Sequence, residues 1–196
     1  MKKILVIGLV MAASTTYAQH FDIGVKGGVN ISSFLGSSNA PIVTSSTYVG
    51  FHAGILTDLY FGNHFALQPE LLFSTQGVKI DNDGRKDDYK VSYLAVPIMA
   101  HYRFTGGFYA EAGPQFSFRL NETYQGTNAN FAKSTDLSLG AGIGYHSPIG
   151  LGVGARYLVG LSKVGDFNFS SVQPSWRYGV LQVSVFYTFF NGQHKY

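Results

Sequence analysis

From residue 21 onward the chain alternates apolar and polar residues with a period of two, and the polar row carries the charges. In the stretch 47–61, Val49, Phe51, Ala53, Ile55, Leu59 and Phe61 form one row, with Tyr48, His52, Asp58 and Tyr60 in the other. The stretch 108–121 sets Phe108, Ala110, Ala112, Phe116, Phe118 and Leu120 against Tyr109, Glu111, Gln115, Arg119 and Asn121. Near the end, Leu181, Val183, Val185, Tyr187 and Phe189 oppose Gln182, Ser184 and Thr188. A soluble barrel turns its apolar row inward, whereas a membrane barrel turns it outward. Burying Lys26, Glu70, Arg103, Glu111, Arg119 and Arg156 in an apolar core would cost several kcal/mol for each unpaired ion. Lining a polar lumen, the same residues can pair. The pattern therefore predicts an all-β, transmembrane, antiparallel up-and-down barrel, and it disfavours the alternative of a soluble calyx or sandwich.

Alternating segments fall at 21–34, 47–61, 64–80, 89–104, 108–121, 134–146, 150–164 and 175–190, which predicts eight strands. Phe61-Gly62-Asn63-His64, Thr105-Gly106-Gly107 and Ser147-Pro148-Ile149 read as tight turns. Longer polar stretches at 35–46, 81–88, 122–133 and 165–174 read as loops at the opposite end. Short turns at one end and long loops at the other are the layout of outer-membrane barrels, whose short turns face the periplasm. Composition agrees: 13% of residues are charged, against roughly 25% in a soluble domain. Aromatic residues cluster near strand ends, as at Tyr60-Phe61, Tyr102, Phe104, Phe108-Tyr109, Tyr145 and Phe189-Phe190, where membrane interfaces favour them.

Residues 1–18 have the parts of a secretory signal peptide: Lys2 and Lys3, an apolar run from Ile4 to Ala13, and Thr16-Tyr17-Ala18 as a cleavage site before Gln19. The apolar run is about half the roughly 20 residues that a membrane-spanning helix needs. The expected organisation is a signal peptide, 1–18, and a barrel domain, 19–196. No cysteine is present, which excludes a lipid-anchored cysteine and a disulfide framework. The formal charge of +3 falls to +1 once Lys2 and Lys3 are removed, so no basic patch invites nucleic acid.

Several segments resemble a known family. They are Gly24-Val25-Lys26-Gly27-Gly28-Val29-Asn30, Gly50-Phe51-His52-Ala53-Gly54, Leu67-Gln68-Pro69-Glu70-Leu71-Leu72-Phe73-Ser74 and Gln76-Gly77. Tyr93-Leu94, Val96-Pro97, Gly107-Phe108-Tyr109-Ala110-Glu111-Ala112-Gly113-Pro114-Gln115, Gly150-Leu151-Gly152 and Ala155-Arg156-Tyr157 continue the match. In this order they resemble the small outer-membrane β-barrel proteins of Bacteroidetes, often called the PorT family. The resemblance implies the barrel fold and an outer-membrane location. The namesake is associated with protein secretion, and the family brings no common substrate or catalytic residue. Its members tend to finish on an aromatic strand residue, whereas here Asn191 to Tyr196 follow Phe189-Phe190, so either Phe190 or Tyr196 is the terminal insertion signal.

The candidate functional residues are those of the lumen. Lys26, Arg103, Arg119 and Arg156 are expected to pair with Asp58, Glu70, Glu111 and Asp136 and, with His52, to fill the narrow interior of an eight-stranded barrel. A selective path for ions or small solutes is the alternative, as is an accessory role in protein export. Gly140-x-Gly142-x-Gly144 and Gly150-x-Gly152-x-Gly154 are not phosphate loops, because no helix follows them; they are expected to make room for bulky residues across the lumen. His20, His52, His64, His101, His146 and His194 show no metal-binding spacing, and no serine stands beside His52 or His101 in a recognisable catalytic motif. An outer-membrane lipid-modifying enzyme is thus the third reading, and no catalytic residue, cofactor or metal is expected. Expected partners are outer-membrane lipid, the barrel-assembly machinery during insertion, and a protein or glycan at the surface loops, where Phe167 and Phe169 are candidate contacts.

Overall fold

The computed structural model describes residues 21–35, 44–46, 48–82, 85–124, 127–128, 134–161 and 177–189. The proposed signal peptide, Phe167 and Phe169, and the tail Asn191 to Tyr196 lie outside the described residues. The strands are β1 (Phe21–Leu35), β2 (Thr44–Ser46), β3 (Tyr48–Phe61), β4 (Phe65–Asn82), β5 (Arg85–Arg103), β6 (Phe108–Tyr124), β7 (Thr127–Asn128), β8 (Thr135–His146), β9 (Leu151–Gly160) and β10 (Arg177–Thr188). Eight of them are long, and each pairs antiparallel with its neighbours in the order β1, β3, β4, β5, β6, β8, β9, β10. Pairing of β10 with β1 closes the ring. Among the described residues closure leaves no long edge strand, which a membrane span requires because lipid cannot satisfy open backbone groups.

The three predicted tight turns are present, and glycine makes each possible. Gly62, Gly106, Gly107 and Gly150 have φ between 76° and 89°, a region that side chains disfavour. At the other end the expected loop 81–88 is instead mostly strand, with pairing from Lys79↔Asp88 to Asn82↔Arg85. Its polar composition suggested a loop, but backbone pairing continues in the register set by the spanning parts of β4 and β5. The short strands β2 and β7 extend the sheet at the same end, pairing with β4 and β6.

Period two becomes two faces. Outward residues are apolar and highly exposed, including Ile143 at 69%, Val49 at 62% and Phe108 at 61%. A continuous apolar surface of this kind is untenable in water and favourable in lipid. From Val49 to Phe61 the outward row of β3 spans roughly 30 Å, at about 3.3 Å per residue and a tilt of about 40°, close to a bilayer's apolar thickness. At the tight-turn end an aromatic belt joins across strands: Phe65–Tyr102, Tyr102–Phe104, Phe108–Tyr145 and Tyr187–Phe189 stand edge-on with centroids 5.1–5.4 Å apart.

The inward row of β6 departs from the expected alternation. Tyr93 pairs with Arg119 but Ser92 pairs with Asn121, so Leu120 is an extra residue, a β-bulge. The bulge shifts the alternation by one. Asn121, expected in the lumen row, is exposed, and Glu122 is buried in its place.

Candidate functional site

The lumen is filled by side chains whose strand positions the alternation dictates. At its centre, Arg156 of β9 lies between two carboxylates. Its Nε and Nη2 donate to Glu111 Oε1 and Oε2 at 2.8 and 2.9 Å, and its Nη2 and Nη1 donate to Glu70 Oε1 and Oε2 at 2.6 and 3.3 Å. Lys26 Nζ reaches Glu70 Oε1 at 3.0 Å, and His101 Nε2 meets Glu111 Oε2 at 2.9 Å. These five residues come from β1, β4, β5, β6 and β9, so the cluster ties together strands all round the ring. All are 7% exposed or less. Two cationic side chains match two carboxylates, and the forked Arg geometry makes such pairs strong enough to offset desolvation.

On the loop side of this cluster, on β1, β3, β4 and β10, lies an uncharged network around Asn30. Its Nδ2 donates to Ser74 Oγ at 3.0 Å and to the carbonyls of Phe51 and Thr75 at 3.1 and 2.9 Å. That leaves Asn30 Oδ1 as an acceptor for Gln182 Nε2 at 3.1 Å and for His52 Nδ1 at 2.8 Å. With Nδ1 donating, Nε2 of His52 meets the Ser184 hydroxyl at 2.9 Å. Sequence gave no hint of this Ser184–His52–Asn30 chain, because its members are 132 and 22 residues apart. Its distances are those of a nucleophile, base and orienting group. Two features argue against such chemistry: Ser184 is 4% exposed, and its own backbone is engaged in continuous ladders to Gly28 and Gly154.

Toward the tight turns, the Tyr60 hydroxyl donates to Asp22 Oδ2 at 2.9 Å and Gln68 Nε2 donates to Asp58 Oδ1 at 2.8 Å. The Arg103 guanidinium lies 5.0 Å from the centre of the Tyr60 ring, and His101 stacks on Tyr109 at 4.7 Å. Between Asp58, Gln68, Arg103 and His146 remains a cavity of about 10 Å³, room for a single water. At the loop end, Arg119 pairs with Glu122, and Asp136 accepts from the Ser138 hydroxyl at 3.0 Å.

Of the nine residues singled out in sequence, Lys26, Glu70, Glu111 and Arg156 form one cluster, which His101 completes. Asp58 and Arg103 line the small cavity, His52 belongs to the uncharged network, and Arg119 and Asp136 lie near the loop end. Glu122 was hidden by the bulge. The glycine runs of β8 and β9 face the lumen as rooms for aromatic rings: a Cβ on Gly144 would stand 2.4 Å from the Tyr109 hydroxyl, and one on Gly152 would stand 2.1 Å from the Phe186 ring. Among the described residues no three His, Asp or Glu side chains are grouped to hold a metal ion.

Comparison with known proteins bears on fold and family. Ail of Yersinia pestis, solved with the heparin analogue sucrose octasulfate, shares 16% identity at a TM-score of 0.50, over 87% of this chain and 99% of its own. Neisserial surface protein A shares 16% identity at a TM-score of 0.55, over 85% and 97%. OprG of Pseudomonas aeruginosa shares 12% at 0.51, over 87% and 97%. No curated protein matches the chain significantly in sequence. Residues 17–166 match the family described as outer membrane protein beta-barrel domain. With a closed ring of eight long strands, a lipid-facing apolar row and a polar interior, the chain belongs to that family and is an outer-membrane β-barrel protein.

Proposed function

We propose that this barrel is a non-enzymatic, non-conducting scaffold that acts through the surface segments it holds at the loop end. The observation that carries this reading is the Glu70–Arg156–Glu111 bridge, with Lys26 and His101, across the centre of the lumen. A solute would have to part buried ion pairs whose separation leaves charges unpaired in a narrow interior. A simple pore is the weaker reading for that reason. Purified protein in planar bilayers tests it: no steady single-channel current is expected, and long-lived unitary steps would overturn the scaffold reading.

Lipid hydrolysis is disfavoured by the burial of Ser184. A serine-reactive fluorophosphonate is expected to leave Ser184 unlabelled, and labelling lost on Ser184→Ala would overturn this. Within the family, the segment matches quoted above favour the PorT group of Bacteroidetes, and with it an accessory role in protein export. Crosslinking in native membranes followed by mass spectrometry tests that role, with export components as the expected partners rather than surface glycans. Residues 1–18 we assign to the export signal; a mature N-terminus at Gln19 is the expected result of sequencing the purified protein.

A further inference from the structure

Five of the eight barrel ladders run without interruption through the described residues: β1–β3, β1–β10, β10–β9, β9–β8 and β8–β6. The other three each miss two successive residue pairs, in β5–β6 apart from the bulge at Leu120. Between β3 and β4 pairing stops after Leu56↔Glu70 and resumes at Leu59↔Leu67. Between β4 and β5 it stops after Pro69↔Ile98 and resumes at Leu72↔Ala95. Between β5 and β6 it stops after Pro97↔Gln115 and resumes at Ala100↔Ala112.

Each gap contains a proline. Along an antiparallel strand a residue turns its N–H and C=O to one neighbour, and the next residue turns them to the other. The gaps are consistent with one facing only: Pro69 faces Thr57 of β3, Pro97 faces Glu70 of β4, and Pro114 faces Ile98 of β5. Proline has no N–H, so the carbonyls of Thr57, Glu70 and Ile98 each lose a ladder bond. Because 69 and 70 are adjacent, as are 97 and 98, the three lost bonds form one line running across the wall from β3 to β6. The line lies four to six residues in from the tight-turn ends of the strands, near the middle of the roughly 25 Å apolar band. Gly113, next to Pro114, has no room for a Cβ, which would stand 2.1 Å from the Ile98 carbonyl oxygen, so the strands stay in contact where the bond is missing.

We propose that Pro69, Pro97 and Pro114 form a hinge line along which the β3–β6 wall flexes within the membrane, and that Glu70 couples this flexing to the ion cluster in the lumen. Glu70 holds both ends of the coupling. Its carbonyl faces Pro97 on the line, while its carboxylate carries Arg156 and Lys26. Among the described residues the opposite wall has no equivalent, since its ladders are unbroken.

Amide hydrogen exchange measured by NMR on the whole barrel in lipid nanodiscs tests the proposal. The amides of Thr57, Glu70 and Ile98 are expected to exchange at least tenfold faster than those of Ala141, Ala155 and Val183 at similar depth on the unbroken wall. A smaller difference overturns the hinge. Pro97→Ala supplies the missing donor and is expected to slow exchange at Glu70 and at the Arg156 Nε proton together. Slowing at Glu70 alone overturns the coupling. If that variant does not fold, the comparison within the native protein still decides whether the hinge exists.

Discussion

The two walls of this barrel are built differently. The wall of β8, β9, β10 and β1 has unbroken ladders and glycines facing the lumen, which receive the rings of Tyr109 and Phe186. The wall of β3 to β6 has the three longest strands, three interrupted ladders and three of the lumen's carboxylates, Asp58, Glu70 and Glu111. One wall makes room in the lumen with glycines; the other supplies the two carboxylates that hold Arg156. Arg156 reaches from β9 to carboxylates on β4 and β6, and Lys26 from β1 to the same Glu70, so both cations bridge the two walls. Side chains across the lumen thus hold a wall whose own ladder is incomplete.

The largest effect is therefore expected at that junction. Arg156→Met removes the cation between Glu70 and Glu111, leaves buried carboxylates under-paired and should cost about 3–5 kcal/mol. Heat-modifiable migration on a gel would read this as a lower unfolding temperature, and an unchanged one would show that the walls do not depend on the bridge. A smaller cost, about 1–3 kcal/mol, is expected for Gly152→Ala, whose added methyl meets the Phe186 ring. Combining it with Phe186→Leu should recover much of the loss; an additive double variant would mean that the glycine serves the backbone instead. The smallest change belongs to the interrupted wall. Pro69→Ala regains a ladder bond worth about 0.5–1.5 kcal/mol but frees the unfolded chain by about 0.4–1 kcal/mol, so stability should move by less than about 1 kcal/mol. Slower exchange at the Thr57 amide should nonetheless accompany it. A large destabilisation would blur the contrast between the walls.

Much of the architecture was legible because alternation is a local property. Each of the eight segments, the three turns and the facing of Lys26, His52, Glu70, Arg103, Glu111 and Arg156 follow from counting residues two at a time. Counting fails where one residue is inserted, and Leu120 is that residue: it exposes Asn121 and buries Glu122. It also fails where polar composition masks a strand, as between Lys79 and Asp88.

The sequence by itself determined which face each strand turns to lipid, where the chain reverses and that the charges face inward, since these depend on a residue's own character and its nearest neighbours. Which charges meet was decided only by tertiary structure. Arg156 joins Glu70 from 86 residues away and Glu111 from 45, and Ser184 meets His52 across 132, because ring closure and strand register, not sequence distance, bring them to one level of the lumen. The alignment of Pro69, Pro97 and Pro114 has the same origin. Each is an ordinary proline in its own strand, and only the register of four neighbouring strands makes them a line.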